Sequence, residues 1–333
     1  MVKSIRKTFN AYRVEEIEGQ FKASIKEMEM PSLADNELLV QVHYSSLNYK
    51  DALSATGNKG VTRLYPHTPG IDAVGVVAQS NSDDFSEGQE VIVTSYDLGM
   101  NTDGGFGQFI KVPAAWALSL PKKMSLKEAM IIGTAGLTAG MSVLRLTDSI
   151  GPQDGKIMVS GATGGVGSIA VSILAKLGYS VIAITGKAAE ANYLKSIGAA
   201  EILLRSEIEG FKNRPLLKPL CIGAIDTVGG VILENIIKST APMGIVTCCG
   251  NVASPNLELT VFPFILRGVT LIGIDSQNYP MTYRKKVWQL LSEEWNVDKQ
   301  LLAHSEVTLD GLQEKIELIL QGKLKGRTVV KLL

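Results

Sequence analysis

Over roughly the first 125 residues, apolar positions come in short runs separated by turns. Residues 37–43 alternate apolar and polar side chains, and residues 75–78 and 89–93 are compact β-forming runs. A period of two predicts strands. Pro66, the Pro69-Gly70 pair, Gly88 and Gly104-Gly105 punctuate them. No βαβ rhythm occurs here, so the stretch predicts an irregular antiparallel, barrel-like domain. From about residue 126 the pattern changes. Ser125 followed by Glu128 has the form of a helix-opening capping box, and an Ala/Gly/Met-rich helix is expected to about Leu144. Apolar strands follow at 156–160, 181–184, 202–204, 222–226, 245–249 and 269–274. Helices at 166–177 and 188–197 lie between them, closed by Gly178 and Gly198. Continuous apolar strands between amphipathic helices predict a parallel sheet covered on both faces. Beyond residue 280 the pattern gives an amphipathic helix, a strand near Val307, a helix through Leu320 and a final strand at 328–332. That last strand has no βαβ partner, so it is expected to return to the first domain. The expected organisation is therefore a β-rich domain of residues 1–125, completed by about 300–333, with an α/β domain of 126–299 inserted.

Composition narrows the function classes. The 33 basic and 33 acidic residues cancel. No global field then recruits nucleic acid or an anionic membrane, and recognition of an anionic ligand has to be local. The amino-terminal segment lacks the apolar core of a signal peptide. The longest weakly polar stretch, 129–141, is too short to span a bilayer. Only three cysteines occur, Cys221, Cys248 and Cys249. They exclude a disulfide framework and point to a reducing cytoplasm. Cys248 and Cys249 end an apolar strand and read as small core residues; Trp288 and Trp295 read as packing residues on a late helix.

The most informative stretch is Ser160-Gly161-Ala162-Thr163-Gly164-Gly165-Val166-Gly167, which follows a strand and opens a helix. That context turns a glycine-rich loop into a dinucleotide cradle of Rossmann type. Aligned to G-x-G-x-x-G, Ala162 takes the first glycine position, Gly164 the second and Gly167 the third. Gly164 lets the backbone approach a pyrophosphate, and Gly167 lets helix and strand pack closely. The amides of Gly165 and Val166 lie at the helix N-terminus, where the dipole favours phosphate. The next strand ends in Thr185-Gly186-Lys187, with no acid before Glu190. An NAD site places Asp or Glu there for the ribose 2′-hydroxyl. A hydroxyl, a glycine and a cation suit a 2′-phosphate instead, and Arg205, after the following strand, is placed to reach the same phosphate. The cofactor expected is NADPH.

Beside this cradle, Asn48-Tyr49-Lys50-Asp51, Pro69-Gly70-Ile71-Asp72 and Gly133-Thr134-Ala135-Gly136 resemble the medium-chain dehydrogenase/reductase superfamily. The similarity is to its zinc-free, quinone oxidoreductase-like branch. Within that branch Ser46-Leu47-Asn48-Tyr49-Lys50-Asp51-Ala52-Leu53, Pro263-Phe264-Ile265-Leu266-Arg267 and Gly273-Ile274-Asp275-Ser276 resemble the acrylyl-CoA reductase group. The resemblance implies a GroES-like catalytic domain, a Rossmann domain, a homodimer, and NADPH-dependent reduction of an activated carbon–carbon double bond. It also implies cofactor contacts from Tyr49, Thr163, Gly164, Gly165, Val166, Thr185, Gly186, Lys187, Arg205, Asn251, Ile265 and Ser276. Gly322 departs from relatives that carry a polar, cofactor-contacting side chain there.

Zinc-containing relatives carry Gly-His-Glu where this chain reads Gly70-Ile71-Asp72. With no Cys in the first domain and no ligand-like spacing of His43, His67 and His304, no zinc site is expected. Hydride addition to a conjugated alkene or quinone needs only a positioned nicotinamide, an electron-withdrawing carbonyl and a proton source. Asn48, Tyr49 and Asp51 form the densest polar cluster of the first domain. Tyr49 is the candidate catalytic residue, with either Tyr49 or a water supplying the proton. Asn48 is expected to orient the neighbourhood, and Asp51 to cap a helix. Arg63 reads equally as a CoA-phosphate contact or a solvated loop residue, and Arg327 as a residue closing over the cofactor or not. The expected substrate is a small molecule, a short 2-enoyl-CoA such as acryloyl-CoA. The alternatives are a quinone reductase and, outside enzymes, an NADPH-sensing binding protein.

Overall fold

The computed structural model describes residues 7–211 and 214–333. The chain forms two compact units. Unit 1 comprises residues up to Thr134 together with Pro280–Lys285 and His304–Leu333; unit 2 comprises Ala135–Tyr279 and Lys286–Ala303.

In chain order the elements begin with the hairpin β1 (Thr8–Ile17) and β2 (Gln20–Glu29), then β3 (Glu37–Leu47), α1 (Tyr49–Ala55), β4 (Asp72–Ser80), β5 (Glu90–Thr94), β6 (Phe109–Pro113) and β7 (Ala117–Ser119). The long helix α2 (Leu126–Thr147) leads into β8 (Ile157–Val159), α3 (Gly165–Lys176), β9 (Val181–Thr185), α4 (Ala191–Ser196), β10 (Glu201–Leu204) and α5 (Arg205–Glu209). There follow β11 (Cys221–Asp226), α6 (Gly230–Lys238), β12 (Thr240–Cys248), α7 (Phe262–Arg267), β13 (Thr270–Gly273) and α8 (Met281–Ser292). The chain closes with β14 (His304–Val307), α9 (Leu312–Leu320) and β15 (Arg327–Lys331).

In unit 1 a seven-stranded sheet runs β14-β15-β3-β4-β5-β7, with β6 also paired to β3. The last strand, β15, lies antiparallel to β3, Thr328 opposite Leu47 and Val330 opposite Ser45. Leu38, Val40 and Val42 of β3 point into the core at every second residue, where Val91 and Val93 of β5 and Leu312 and Ile316 of α9 meet them.

Unit 2 is a six-stranded parallel sheet ordered β10-β9-β8-β11-β12-β13. This is the doubly wound order, in which the chain starts in the middle, builds to one edge and then crosses to the other. The crevice that such a reversal opens lies between β8 and β11. Val159 and the other residues of β8 are fully buried, as the apolar run in the sequence requires. Helix α3 seats Ile169, Ala170, Ile173 and Leu174 in the interior.

Helix α2 extends beyond the apolar stretch read from the sequence. Among the described residues it is the helix long and apolar enough to cross a membrane by length and composition, but 94% of its apolar window is buried inside the protein. That is the signature of a core helix. It is broken at Gly133, whose φ of 53° and ψ of −158° lie outside helical geometry. The division between the two units falls at this break, at Thr134, rather than at the change of texture near residue 126.

A close helix–loop approach in unit 2 is at Gly167. A Cβ there would sit 2.3 Å from the Gly161 carbonyl oxygen and 2.8 Å from Ala162 Cα. Both are backbone atoms that cannot swing aside. Gly167→Ala is therefore expected to destabilise the protein by about 1–3 kcal/mol, the usual cost of overpacking. Urea unfolding followed by circular dichroism measures it, and an unchanged midpoint would show that α3 does not depend on this approach.

Candidate active site

The cradle in unit 2 is built at the end of β8. Gly161 turns the chain with φ of 59°, a conformation that favours glycine, and a Cβ there would lie 2.3 Å from Thr227 Oγ1. The sequence alignment gave the first-glycine position to Ala162; in the structure the left-handed turn is made one residue earlier. Ala162 N–H donates to Ile184 O at 3.1 Å, which ties the cradle to the end of β9. Gly164 is the N-cap of α3, and Ser168 N–H closes the first helical turn onto its carbonyl at 3.0 Å. The amides of Gly165 and Val166 thus open the helix, while Thr163 beside them is buried.

The neighbouring corner brings Arg205 against the Thr185-Gly186-Lys187 turn, which the sequence reads as one pocket. Thr185, at the end of β9, pairs in register with Leu204 of β10, directly before Arg205. Lys187 N–H donates to Thr185 Oγ1 at 3.0 Å, folding the Thr185-Gly186-Lys187 turn back on itself. The Arg205 guanidinium lies against Gly186: a Cβ on that glycine would be 3.1 Å from Arg205 Cζ and Nε. A side chain at 186 would push the cation away. No acid occupies the position where a free ribose 2′-hydroxyl is bound in NAD sites.

Sequence reasoning missed Asp226, at the end of β11. Ser160 Oγ donates to its Oδ1 at 2.6 Å, and the backbone N–H groups of Gly229 and Val228 donate to its Oδ2 at 2.8 and 3.2 Å. Burial raises its carboxyl above the ordinary value, and these donors oppose the rise. Asp226 thereby locks the loops after β8 and β11, which border the crevice. An acid directly after a buried strand and three residues before Gly229-Gly230 was the available signal.

Asn251 lies at another set of strand ends. A groove of about 560 Å³ there is lined by Cys248, Cys249, Asn251, Ser254, Ile274 and Asp275, among others. The two cysteines are thus half-buried at its wall rather than sealed in the core. Burial holds both thiols above their ordinary values, so they are poor nucleophiles. Ser276 follows this wall directly and is half-buried. Ile265 stands apart on α7, 67% exposed. Arg267, from the same motif, closes the end of α6: its guanidinium donates to Lys238 O, Thr240 O and Leu217 O at 2.6–3.0 Å.

Unit 1 holds the second cluster. Tyr49 is the first residue of α1 and half-buried; Asn48 is its N-cap. Asp51 accepts the Asn48 N–H at 2.7 Å and the Ile71 N–H at 2.8 Å, so it caps the helix as expected. The Asn48 side chain is fully engaged. Its Nδ2 donates to Asp72 Oδ2 at 2.8 Å, and its Oδ1 accepts from Arg327 Nη1 at 3.0 Å. Asp72 is buried completely. It also accepts from Ser46 Oγ at 2.6 Å, from Thr134 Oγ1 at 2.6 Å and from Thr134 N–H at 3.0 Å. Arg327, 4% exposed, donates in addition to Ser46 Oγ, Leu47 O and Ile131 O. Burial, and then the neighbouring Asp72, push the Asp51 carboxyl up to about 7. Arg63 lies in an exposed loop with its N–H on Asn101 Oδ1.

Comparison with known proteins places these features. Residues 34–122 match the family described as Alcohol dehydrogenase GroES-like domain, and residues 165–293 match Zinc-binding dehydrogenase. Among the described residues no group of three His, Cys, Asp or Glu side chains could hold a metal ion. The Ruegeria pomeroyi acrylyl-CoA reductase AcuI is 38% identical over 325 residues, 97% of this chain and 98% of its own. YhfP of Bacillus subtilis, which carries a provisional quinone oxidoreductase name, is 41% identical over 97% of this chain and 99% of its own. Its crystal structure, with NAD bound, superposes with a TM-score of 0.94 over 98% of this chain and all of that one. The Salmonella enterica yhdH oxidoreductase in complex with NADP is 41% identical, covers 97% of this chain and all of its own, and has a TM-score of 0.92. The chain belongs to the quinone oxidoreductase-like group of the medium-chain dehydrogenase/reductase superfamily.

Proposed function

We propose that the protein reduces the activated double bond of a short 2-enoyl-CoA, converting acryloyl-CoA to propanoyl-CoA with NADPH. One observation carries this reading: the near full-length match to an acrylyl-CoA reductase falls on a chain whose dinucleotide corner is cationic rather than acidic. The residues present fit the cofactor. Thr163, Gly164, Gly165 and Val166 would hold the pyrophosphate; Thr185, Gly186, Lys187 and Arg205 would hold the 2′-phosphate. Asn251, Ile265 and Ser276 are assigned to the nicotinamide half. A reduced nicotinamide held there would supply the hydride for the β-carbon of the enoyl group, and a proton at the α-carbon would complete the reduction. Tyr49 is assigned to the substrate, its hydroxyl positioning the thioester and passing that proton. Asn48 fixes the turn from which Tyr49 projects.

The substrate side is assigned to the GroES-like domain, unit 1, and the cofactor to the Rossmann domain, unit 2. A cytoplasmic setting accords with three free cysteines. A homodimer is supported by the edge position of β13 and by the exposed Val261, Phe262, Ile265 and Leu266 on the adjoining turn of α7. An open edge beside an apolar patch is a surface that proteins cover.

Three measurements test these readings. In stopped flow, NADPH oxidation is expected to be fast with acryloyl-CoA, slower with crotonyl-CoA and slowest with benzoquinone. A benzoquinone rate above both would make the protein a quinone reductase, and no oxidation with any of them would leave an NADPH-binding protein. Lys187→Ala is expected to weaken NADPH binding by about 10- to 150-fold, the worth of one charge-assisted hydrogen bond of about 1.5–3 kcal/mol. Solvent screening favours the lower end, and high salt shrinks the effect further. NADH affinity should hardly move; equal loss for both cofactors would make Lys187 structural. Light scattering at micromolar concentration should give a dimer mass, and a monomer mass would remove the edge assignment.

A further inference from the structure

The buried cluster around Asn48 has no part in holding the cofactor or in the proton step assigned above, yet it lies directly behind Tyr49. Three separate segments of unit 1 converge on it. The end of β3 supplies Ser46, the Leu47 carbonyl and Asn48; the start of β4 supplies Asp72; the break in α2 supplies the Ile131 carbonyl and the Thr134 N–H and hydroxyl. Arg327, from β15, ties all three. Gly133 sits on the cluster so closely that a Cβ would be 2.5 Å from Asp72 Oδ2, 2.7 Å from Ser46 Oγ and 2.8 Å from Arg327 Nη2.

The hydrogen bonds fix the Asn48 amide in one orientation. Its oxygen faces only the guanidinium, which has no acceptor to offer, and its nitrogen faces the Asp72 carboxylate. Turning the amide over would set donor against donor and acceptor against acceptor. Asn48 is also the N-cap, so its backbone sets the direction in which Tyr49 leaves the sheet. We propose that Asp72 and Arg327 are positioning residues for the reaction: by locking the Asn48 amide from both sides they fix the Tyr49 hydroxyl where the substrate is protonated. The inference rests on the assignment of Tyr49 given above. Misplacement of a reacting group by about 1 Å costs up to 100-fold in rate, so a lock built from buried charges has a kinetic consequence besides its contribution to the fold.

Asp72→Asn is the discriminating substitution. It keeps the shape, but one carboxylate oxygen becomes an amide nitrogen facing Asn48 Nδ2, Ser46 Oγ or Thr134, all of which donate to Asp72. Turnover of acryloyl-CoA is expected to fall about 10- to 100-fold, while NADPH affinity, read by nucleotide fluorescence, stays within about twofold because the cradle lies in the other unit. The solvent isotope effect on turnover, measured in deuterated water, should rise, since the proton transfer from Tyr49 becomes the slow step. A residue serving only the fold would lower the melting temperature and the titrated fraction of active sites, and leave the turnover and isotope effect of the surviving sites unchanged. That result overturns the proposal. In a Tyr49→Phe background the further loss from Asp72→Asn should shrink to less than about twofold; an equal loss in both backgrounds also overturns it. If Tyr49→Phe alone leaves turnover unchanged, the assignment of Tyr49 fails and takes this inference with it. If Tyr49→Phe is slow and Asp72→Asn is not, only this inference fails. Should Asp72→Asn not fold, Ser46→Ala removes one bond to Asp72 and one to Arg327 and is read by the same criteria.

Discussion

A helix that breaks in the middle of a protein leaves backbone groups that must be satisfied away from water. In α2 the break at Gly133 frees the Thr134 N–H and the Ile131 carbonyl, and a buried carboxylate and a buried guanidinium take them up. Neither charge is tolerable alone: each would lose its hydration with no compensation. Together they also have enough hydrogen-bonding capacity left to hold Ser46, Leu47 and Asn48. The position of the helix, the seating of the last strand and the turn that carries Tyr49 therefore depend on one ion pair and its ring of neutral partners.

Unit 2 solves a related problem with a single charge. Among the described residues Asp226 has no cation as a partner; a serine hydroxyl and two backbone N–H groups offset its burial. Their effect is to hold two loops at the reversal of strand order, where the topology itself opens a crevice. The glycines do the remaining work by subtraction. At 161 a left-handed turn is needed, and at 167 and 186 the space a side chain would fill is occupied by backbone or by the Arg205 guanidinium.

What could be read from the sequence was local. The strand, glycine loop and helix around 160–167 lie within a few residues, and their order alone signals a phosphate site. Lys187 and Arg205 were legible one step further, because successive strands of a parallel sheet bring their ends together. The partnership of Asp72 with Arg327 was not, since 255 residues separate them. The break in α2 was hidden for a different reason: Gly133 stands in a run of small apolar residues that looks helical throughout. The hairpin of β1 and β2 left no clean alternation, because β2 is largely exposed and carries charged residues on it. The shift of the first turn from Ala162 to Gly161 shows the limit of a spacing rule when two adjacent small residues can both satisfy it.

The same connectivity has a consequence for how the chain comes into being. Synthesis proceeds from the amino terminus, and β15 is the last strand to leave the ribosome. The β8–β13 sheet has all its strands by then and can fold as a unit while the chain is still growing. Unit 1 cannot: its Asp72 waits for a cation that arrives 255 residues later. The domain begun first is thus the one finished last, and a chain truncated before Arg327 lacks the charge that its buried Asp72 requires.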